Sequence, residues 1–440
     1  LADLGERAKP ALGFFVLLVT GVIAVESLYG FCLQDDAYIS FRYAQNLAAG
    51  EGLVFNPGDR VEGYSNFLWT LGIAGAIAAG VSPEVWVIGA GVATTIAILY
   101  VVWRAGIACG LTANQSLVAP LFVGFHGGFT LEAVQGLETV FFALLVFIAV
   151  EACARKHLLE GWLGYLGPVA IALAVWTRPE GLGVLFLLAV GRKVSVGDWP
   201  RRAITFGLLA AIAHLAFRLG YYGDPLPNTF YAKTGVATAV WSRGLQYVWT
   251  FFVLMPHLLL AFFFAIRPEH RDEAVPLRSR APQLVVHAWV SFGYLAYVVV
   301  VGGDFKQTGR FILPVLPSIA LLSQWAFWSL LQRSVASAGR TFALSSAAGV
   351  VAIALIGDVK RCVDWAEQAR SLLEERLVVG SLLATQCAPP TRVAIHSAGV
   401  IPYASGLPTL DMWGLNDRHI ARAPIADRGK GTAGHEARDY

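Results

Sequence analysis

Asp35 and Asp36 stand side by side directly after the apolar run 13–33, an unusual place for two adjacent carboxylates. Both ionised, they repel, and one is pushed toward a higher pKa. That arrangement suits a general base, or a base beside a ligand for a hydroxyl or a divalent cation. It also suits a helix start, with Asp35 as N-cap and Asp36 favoured by the macrodipole. Four more short polar stretches interrupt apolar runs in the same way. One carries Gln135 and Glu138, and a second carries Arg178 and Glu180 around Pro179. A third holds Asp224, Asn228, Tyr231 and Lys233 among Pro225 and Pro227, and a fourth holds Asp304, Lys306 and Arg310 among glycines. Ionisable residues close to hydrocarbon are functional candidates; for each one taken alone, a snorkelling or loop-packing charge is the alternative. Arg42, Arg178, Lys233 and Arg310 are cations suited to gripping a phosphate.

These residues must be positioned by a membrane-embedded scaffold. Of the 440 residues, 56% are apolar and only 14% charged, and the mean hydropathy is +0.59. A soluble domain carries roughly a quarter charged residues. A nucleic-acid binder is excluded, because 33 basic residues against 30 acidic ones leave +3 without a basic run. Five scattered cysteines exclude a zinc pattern or a disulfide scaffold. Twelve segments can be read as crossings: 13–33, 64–80, 85–103, 113–130, 137–152, 163–177, 179–191, 203–221, 244–266, 284–301, 309–331 and 340–357. No cleavage site follows 13–33, so it is read as a retained helix.

Positive charge sets orientation. Arg7 and Lys9, Arg155 and Lys156, Arg192 to Arg202, Arg267 to Arg280, and Arg333 with Arg340 mark one side as cytoplasmic. The loops 34–63, 131–138, 178–180, 222–243 and 302–310, and the tail from 358, then face outward. A cytoplasmic N-terminus with an outer tail requires an odd number of crossings. The weakest segment, 113–130, with Asn114, Gln115 and Pro120, is therefore predicted to be broken or re-entrant, leaving eleven.

The first outer loop is the longest. Residues 35–49 form an amphipathic helix on paper, with Asp35, Tyr38, Arg42 and Asn46 opposite Ala37, Phe41, Ala44 and Ala48. Such a helix is expected to lie on the membrane surface, apolar face down. Gly50 and Gly52 end it, and Asn56-Pro57-Gly58-Asp59 is a turn. Glu62, Tyr64 and Asn66 then lead back toward the membrane. Beyond residue 357 a polar tail is predicted, a small α/β domain over 358–440. It comprises an amphipathic helix 359–379, with Cys362, Trp365, Ala369, Leu372, Leu373 and Arg376 on one stripe, the strand 392–396, the helical 398–406 and the strand 409–413. His396 and Asp411 fall at strand ends, where sites are often built, or serve as hydrogen-bonded structural residues. Cys362 and Cys387 either pair or remain free thiols. The chain opens on Leu1 and closes soon after that small sheet, so a longer natural chain is expected.

Taken in order, DDAYISFRYAQNLAAGEGLVFNPGDRVEGYSNFLW, GLETVFFALL, TRPEGL, GDPLPNTFYAK and GGDFKQTGRFILPVLP resemble the GT-C superfamily of integral-membrane glycosyltransferases. Within it they are similar to the branch containing the mycobacterial terminal arabinofuranosyltransferase, over about residues 10–420. The resemblance implies an all-α polytopic bundle of about eleven crossings with a small C-terminal α/β extracytoplasmic domain. It implies a polyprenyl-phosphate-linked sugar as donor and a glycan or lipid of the cell envelope as acceptor. Catalysis on the periplasmic side of the bacterial inner membrane, usually with inversion, is implied as well. By the same resemblance the first acidic residue after crossing one, Asp35, is the base, with Asp36 its close rival. Arg or Lys from the later outer loops holds the phosphate. Glu62, Tyr64, Asn66, Asn228 and Tyr231 grip sugar hydroxyls or order the loops. Lys306-Gln307-Thr308 departs from the family string. Two other readings use the same features: a non-catalytic glycosyltransferase-like subunit of a larger assembly, and a sugar or lipid flippase.

Overall fold

The computed structural model describes residues 9–155, 161–233, 238–262, 282–306, 308–334, 337–388 and 390–423. Arg7, Lys156, Arg267, Arg271, Arg278, Arg280 and Gln307 lie outside them. The helices are α1 (Lys9–Leu28), α2 (Asp35–Ala48), α3 (Phe67–Ala78), α4 (Pro83–Ala108), α5 (Val118–Gly124), α6 (Gly127–Val134), α7 (Thr139–Ala154), α8 (Leu166–Thr177) and α9 (Gly181–Ser195). They continue as α10 (Arg201–Tyr221), α11 (Asn228–Lys233), α12 (Thr238–Leu254), α13 (Pro282–Val301), α14 (Leu316–Ser334), α15 (Ser337–Gln386), α16 (Val400–Ser405) and α17 (Arg418–Arg422). Five described helices are long and apolar enough to cross a membrane, or up to seven if each of two bent pairs counts as one span. The shorter apolar helices are packed among them. The protein is a multi-span membrane protein built as an all-α bundle.

A single large apolar cluster joins α1, α4, α5, α7, α8, α9, α13 and α14. Trp103 at its centre is fully buried and stacks on Phe15 at 4.9 Å. Lipid gives no hydrophobic force between spans, so such cores rest on close side-chain packing. Both bends have a local cause. Phe125 and His126 separate α5 from α6, with a 58° turn between them. After α12, Pro256 opens a 3₁₀ turn, and the pair bends by 108°; proline lacks the N–H that a continuing helix needs.

The break predicted in 113–130 is present, as the 58° bend between α5 and α6, but the parity conflict is resolved at a different segment. Residues 113–130 do pass through the bundle, as the bent pair α5–α6. At one end, Ala113 O and Gln115 O accept from the Trp103 and Trp328 indoles. At the other end, Glu132 meets Lys306. The segment that fails to pass is 64–80. Its helix α3 has 12 residues, as α8 does, and differs from it in where its two ends lie. It lies along α2. Asn66 at its start bonds Ser40, Trp69 donates to Gly136 O, and Ile77 near its end shares one apolar cluster with Leu47. Removing α3 rather than 113–130 keeps the count odd.

Among the described residues, the polar loops around Asp35, Glu138, Arg178 and Arg310 collect at one end of the bundle, and Arg155 and Arg192 meet at another place. There Arg192, itself buried, donates to the Cys153 carbonyl and to Arg155 O at 2.9 Å and pairs with Asp198 at 3.0 Å. At the polar end, α2 starts with both aspartates in its first turn. Gln34, not Asp35, is its N-cap, and it makes no side-chain cap bond. Gly50 follows α2 with φ 84°, a left-handed conformation that ends the helix. The helix does not float on the membrane surface. Residues Ala37 to Ala44 are all buried, because α3 packs on one side and the C-terminal unit on the other.

The tail departs from its predicted outline in one respect. The predicted helices 340–357 and 359–379 are one continuous helix, α15, of 50 residues, so residues 357 and 358 adjoin within it. Beyond it, β1 (Val393–Ile395) and β2 (Thr409–Asp411) pair in parallel, Ala394 opposite Leu410, with α16 as the crossover. Cys362 and Cys387 are free. They stand 25 positions apart along or just after α15, about 37 Å at helical rise, far beyond the ~7 Å Cα limit of a disulfide.

Candidate active site

Asp35 and Asp36 occupy one turn of α2 but face different partners. Asp35 is the more engaged. Its Oδ2 accepts from Gly399 N and its Oδ1 from Val400 N, each at 3.1 Å. Arg376 Nη1 of α15 lies 3.2 Å from Oδ1. Burial pushes the Asp35 pKa up, and Arg376 and the two N–H groups work against that shift. Gly399 approaches so closely that a Cβ there would stand against the Asp35 carbonyl oxygen. Asp36 points instead to Arg310, with Nη1 at 3.7 Å, and 37% of its side chain remains exposed.

A chain of charges runs inward from Asp36. Arg310 Nε donates to Asp304 Oδ2 at 2.7 Å. Burial opposes the Arg310 charge, but Asp304, Glu132 and Asp36 outweigh it and raise its pKa. Lys306 and Glu132, both fully buried, form an ion pair at 3.2 Å, and Thr139 donates to the second Glu132 oxygen. Burial works to lower the Lys306 pKa. Arg178 lies next to this group: the Arg178 and Arg310 guanidinium carbons sit 5.7 and 5.5 Å from the centre of the Phe311 ring. Arg178 pairs with Glu138 at 2.6 Å and Glu180 at 2.9 Å, and Asn66 donates to the other Glu138 oxygen at 2.8 Å. Thus Asp35, Asp36, Asn66, Glu138, Arg178, Glu180, Asp304 and Arg310 are brought into one neighbourhood from four outer loops.

The remaining residues singled out in the sequence hold the loops. Arg42 donates to the carbonyls of Phe55, Leu407 and Pro402, clamping the C-terminal unit onto α2, and burial lowers its pKa to about 10. Glu62 accepts Arg218 in a bidentate pair at 2.8 to 3.1 Å. The Tyr64 and Tyr222 hydroxyls are 3.1 Å apart. Asn228 Nδ2 donates to the carbonyls of Gly414, Leu415 and Asp417. Tyr231 donates to Asp224, and Arg422 lies over its ring at 4.4 Å. Lys233 is exposed at the end of α11. Asp411 is buried and accepts from Trp413 N, Asn416 N and Asn416 Nδ2, a structural role.

A cavity of about 480 Å³ opens beside the aspartates, between α2, α15 and the C-terminal unit. It is lined by His396, which the sequence places at a strand end, and by Arg376 and Trp413, which the sequence did not mark as site residues. For Arg376 a signal existed: an arginine on an otherwise apolar stripe requires a carboxylate partner. Among the described residues no group of three or more His, Cys, Asp or Glu side chains is arranged to hold a metal ion. The acids of the site face Arg and Lys instead, so the divalent cation considered from the sequence has no fitted ligand set there.

A family model described as a domain of unknown function (DUF8728) matches residues 365–438. The terminal β-(1→2)-arabinofuranosyltransferase of Corynebacterium glutamicum is 30% identical over 340 residues, covering 66% of this chain and 47% of that protein. The protein of the same name from Mycobacterium tuberculosis is 28% identical over 358 residues, 68% of this chain and 54% of that one. The chain spans about half the length of these relatives. Among solved structures, ArnT from Cupriavidus metallidurans bound to undecaprenyl phosphate aligns with a TM-score of 0.56 at 11% identity, over 91% of this chain and 86% of that one. The archaeal oligosaccharyltransferase AglB from Archaeoglobus fulgidus, in complex with an inhibitory peptide and a dolichol-phosphate, aligns at 0.50 and 11% identity, over 93% and 65%. At such identity the likeness is one of fold. The chain therefore shares the polytopic fold of ArnT and is similar in sequence to the two arabinofuranosyltransferases, the branch that its own motif string resembles.

Proposed function

We propose that this chain is a membrane glycosyltransferase that moves a sugar from a polyprenyl-phosphate donor to a glycan or lipid acceptor of the cell envelope. It works on the periplasmic face of the bacterial inner membrane, with inversion. The observation that carries this reading is the Asp35–Asp36 pair at the start of α2, with Asp36 lining a cavity 3.7 Å from the buried Arg310. The solved relatives of its fold include one bound to undecaprenyl phosphate and one in complex with a dolichol-phosphate, and both sequence relatives are named arabinofuranosyltransferases. In this reading the chain divides into a membrane domain up to about residue 357 and an extracytoplasmic unit beyond it, joined by α15.

We assign the two aspartates different tasks. Asp35, the base by family resemblance, has its oxygens held by two N–H groups and Arg376. Asp36, which lines the cavity and keeps 37% of its side chain exposed, is read as the proton acceptor. It takes the proton from the acceptor hydroxyl as that oxygen bonds to the anomeric carbon. The bond from that carbon to the phosphate oxygen breaks on the opposite side, and prenyl phosphate leaves with the electron pair. Arg310 stabilises the developing charge from a fixed position, with Arg178 across Phe311 as the next cation. The prenyl chain lies in the lipid-facing bundle.

The test uses the full chain in lipid nanodiscs with a panel of polyprenyl-phosphate sugars, arabinofuranose first, scored for prenyl phosphate release and sugar transfer. Transfer by wild type, lost in Asp36→Asn at unchanged melting temperature, is the expected result. If Asp35→Asn abolishes transfer and Asp36→Asn does not, the base assignment is overturned. Absence of turnover from every donor in folded protein overturns the activity and favours a non-catalytic subunit.

A further inference from the structure

The end of α10 remote from the candidate site carries a second group of charged side chains, and these lack partners. We propose that the α9–α10 turn, with Lys193, Arg201 and Arg202, binds the headgroup of an anionic glycerophospholipid whose acyl chains run along the outer face of α10. This inference does not depend on the glycosyltransferase reading. Its location follows from α10 itself, a helix long and apolar enough to cross a membrane. One end of α10 is held at the polar loops, where Arg218 pairs with Glu62 at 2.8 Å. Arg201 starts the helix, about 25 Å away at helical rise. The turn 196–200 therefore belongs at the opposite membrane surface, where lipid phosphates lie.

Three observations select the ligand. The first is uncommitted charge. Arg42, Arg178, Arg192, Arg218 and Arg310 all engage carbonyls or carboxylates. Arg201 and Arg202 are exposed and donate to no acceptor among the described residues; the Arg202 guanidinium stands 5.1 Å over the Tyr165 ring. Lys193 uses one of its three donors, on Gly197 O at 2.7 Å, which holds its ammonium 6.0 Å from the Trp199 ring. Asp198, the carboxylate of the turn, pairs with the buried Arg192 at 3.0 Å. Three cations without a carboxylate suit a phosphate, which guanidinium groups grip in bidentate fashion. They disfavour a headgroup that brings an ammonium of its own. The second observation is an aromatic collar. Trp162 is 74% exposed and Trp199 47%, and Tyr165 packs on Phe206 of α10 at 6.0 Å. Such rings, apolar in body and polar at one edge, settle at headgroup level. The third is an apolar track beyond the collar. Leu209 and Ile212 are exposed on α10, and Leu166 and Val169 on α8. Trp176 of α8 donates to Ala210 O at 2.8 Å, so the two strips adjoin. Acyl chains cover such a track, and a free phosphate does not.

The test measures lipid binding and needs no turnover. The full chain, purified in detergent, is titrated with phosphatidylglycerol and with phosphatidylethanolamine, and the bound lipids are counted by native mass spectrometry. Phosphatidylglycerol is expected to bind about tenfold more tightly or better. Arg201→Gln or Arg202→Gln should weaken it about fivefold, and the two together about twentyfold, on the scale of a surface cation facing anionic lipid. Phosphatidylethanolamine binding should not change. The double variant Arg201→Lys with Arg202→Lys keeps the charge and should keep most of the affinity. Arg104→Gln, which removes a single exposed cation from α4, should leave phosphatidylglycerol binding as in wild type. Equal affinity for the two lipids overturns the proposal. So does a phosphatidylglycerol preference that survives the double Gln variant, which would place the lipid elsewhere. Glycerol phosphate, the same headgroup chemistry without acyl chains, should not compete at equal concentration; competition would reduce the turn to a phosphate site and overturn the lipid assignment.

Discussion

Asp35 Oδ1 lies 3.2 Å from Arg376 Nη1, so the first residue of α2 is tied to the C-terminal half of a helix that begins some three hundred residues later. The pair, with the Gly399 and Val400 N–H groups, seats the C-terminal unit over the candidate site. Arg376→Ala is expected to loosen that seat by about 1–3 kcal/mol, the cost of leaving a partly buried carboxylate without its partner. Limited proteolysis beyond Gln386 should accelerate. A double-mutant cycle with Asp35→Asn, read by thermal unfolding, should show that the two losses do not add.

Gly399 provides a steric test of the same seat. A methyl group there would collide with the Asp35 backbone carbonyl, an atom that cannot swing aside. Gly399→Ala should lower stability by about 1–3 kcal/mol, as overpacking does. Hydrogen exchange should rise in Val400–Ser405 and in the first turn of α2, and remain unchanged in α4. Uniform exchange across all three would count against a local clash.

Lys306 and Glu132 are both fully buried and 3.2 Å apart. Removing one partner alone strands a charge, and Lys306→Met should cost about 3–5 kcal/mol. The double variant Lys306→Met with Glu132→Gln should recover most of that loss. Melting temperature in nanodiscs distinguishes the outcomes, and a double variant no better than the single would show that the pair is not acting as a unit.

Arg310 and Arg178 predict a graded effect on a polyprenyl-phosphate donor. Arg310→Ala should reduce kcat/KM by about 10²–10³-fold, the range for removing one fixed donor to developing charge. Arg310→Lys should restore part of it. Arg178→Lys should mainly destabilise, because a lysine cannot span Glu138 and Glu180 as the guanidinium does.

Asp224 joins α11 to α17 through Tyr231 and Arg422. Burial alone would raise its pKa, but the Tyr231 hydrogen bond and Arg422 outweigh it and hold the carboxyl below its ordinary value. A depressed carboxylate contributes stability that is present above its unfolded pKa, about 3.9, and is lost as pH falls through the folded one. Exchange in Arg418–Arg422 should thus rise only below about pH 4 and be insensitive between pH 5 and 8, where Asp224→Asn should show the low-pH behaviour at all values.

Much of this protein was already determined by its sequence, because hydropathy and charge are local properties. A run of apolar residues must be a lipid-facing or core helix whatever surrounds it, and each of the twelve apolar segments carries described helix. The strand–helix–strand of the tail followed from short-range alternation and a turn. What tertiary structure decided was pairing at long range. Hydropathy could not reveal that α3 fails to cross, since its residues are as apolar as those of a span; α2 and α4 divert it. Nor could composition tell Asp35 from Asp36. Neighbours in the chain, they point about 100° apart on a helix, and one meets Arg376 and two backbone amides while the other meets Arg310. Arg42 reads as a phosphate ligand by type alone, yet three carbonyls claim it once the C-terminal unit lies across α2. A side chain's type sets what it can bind, and only the fold sets which partner reaches it first.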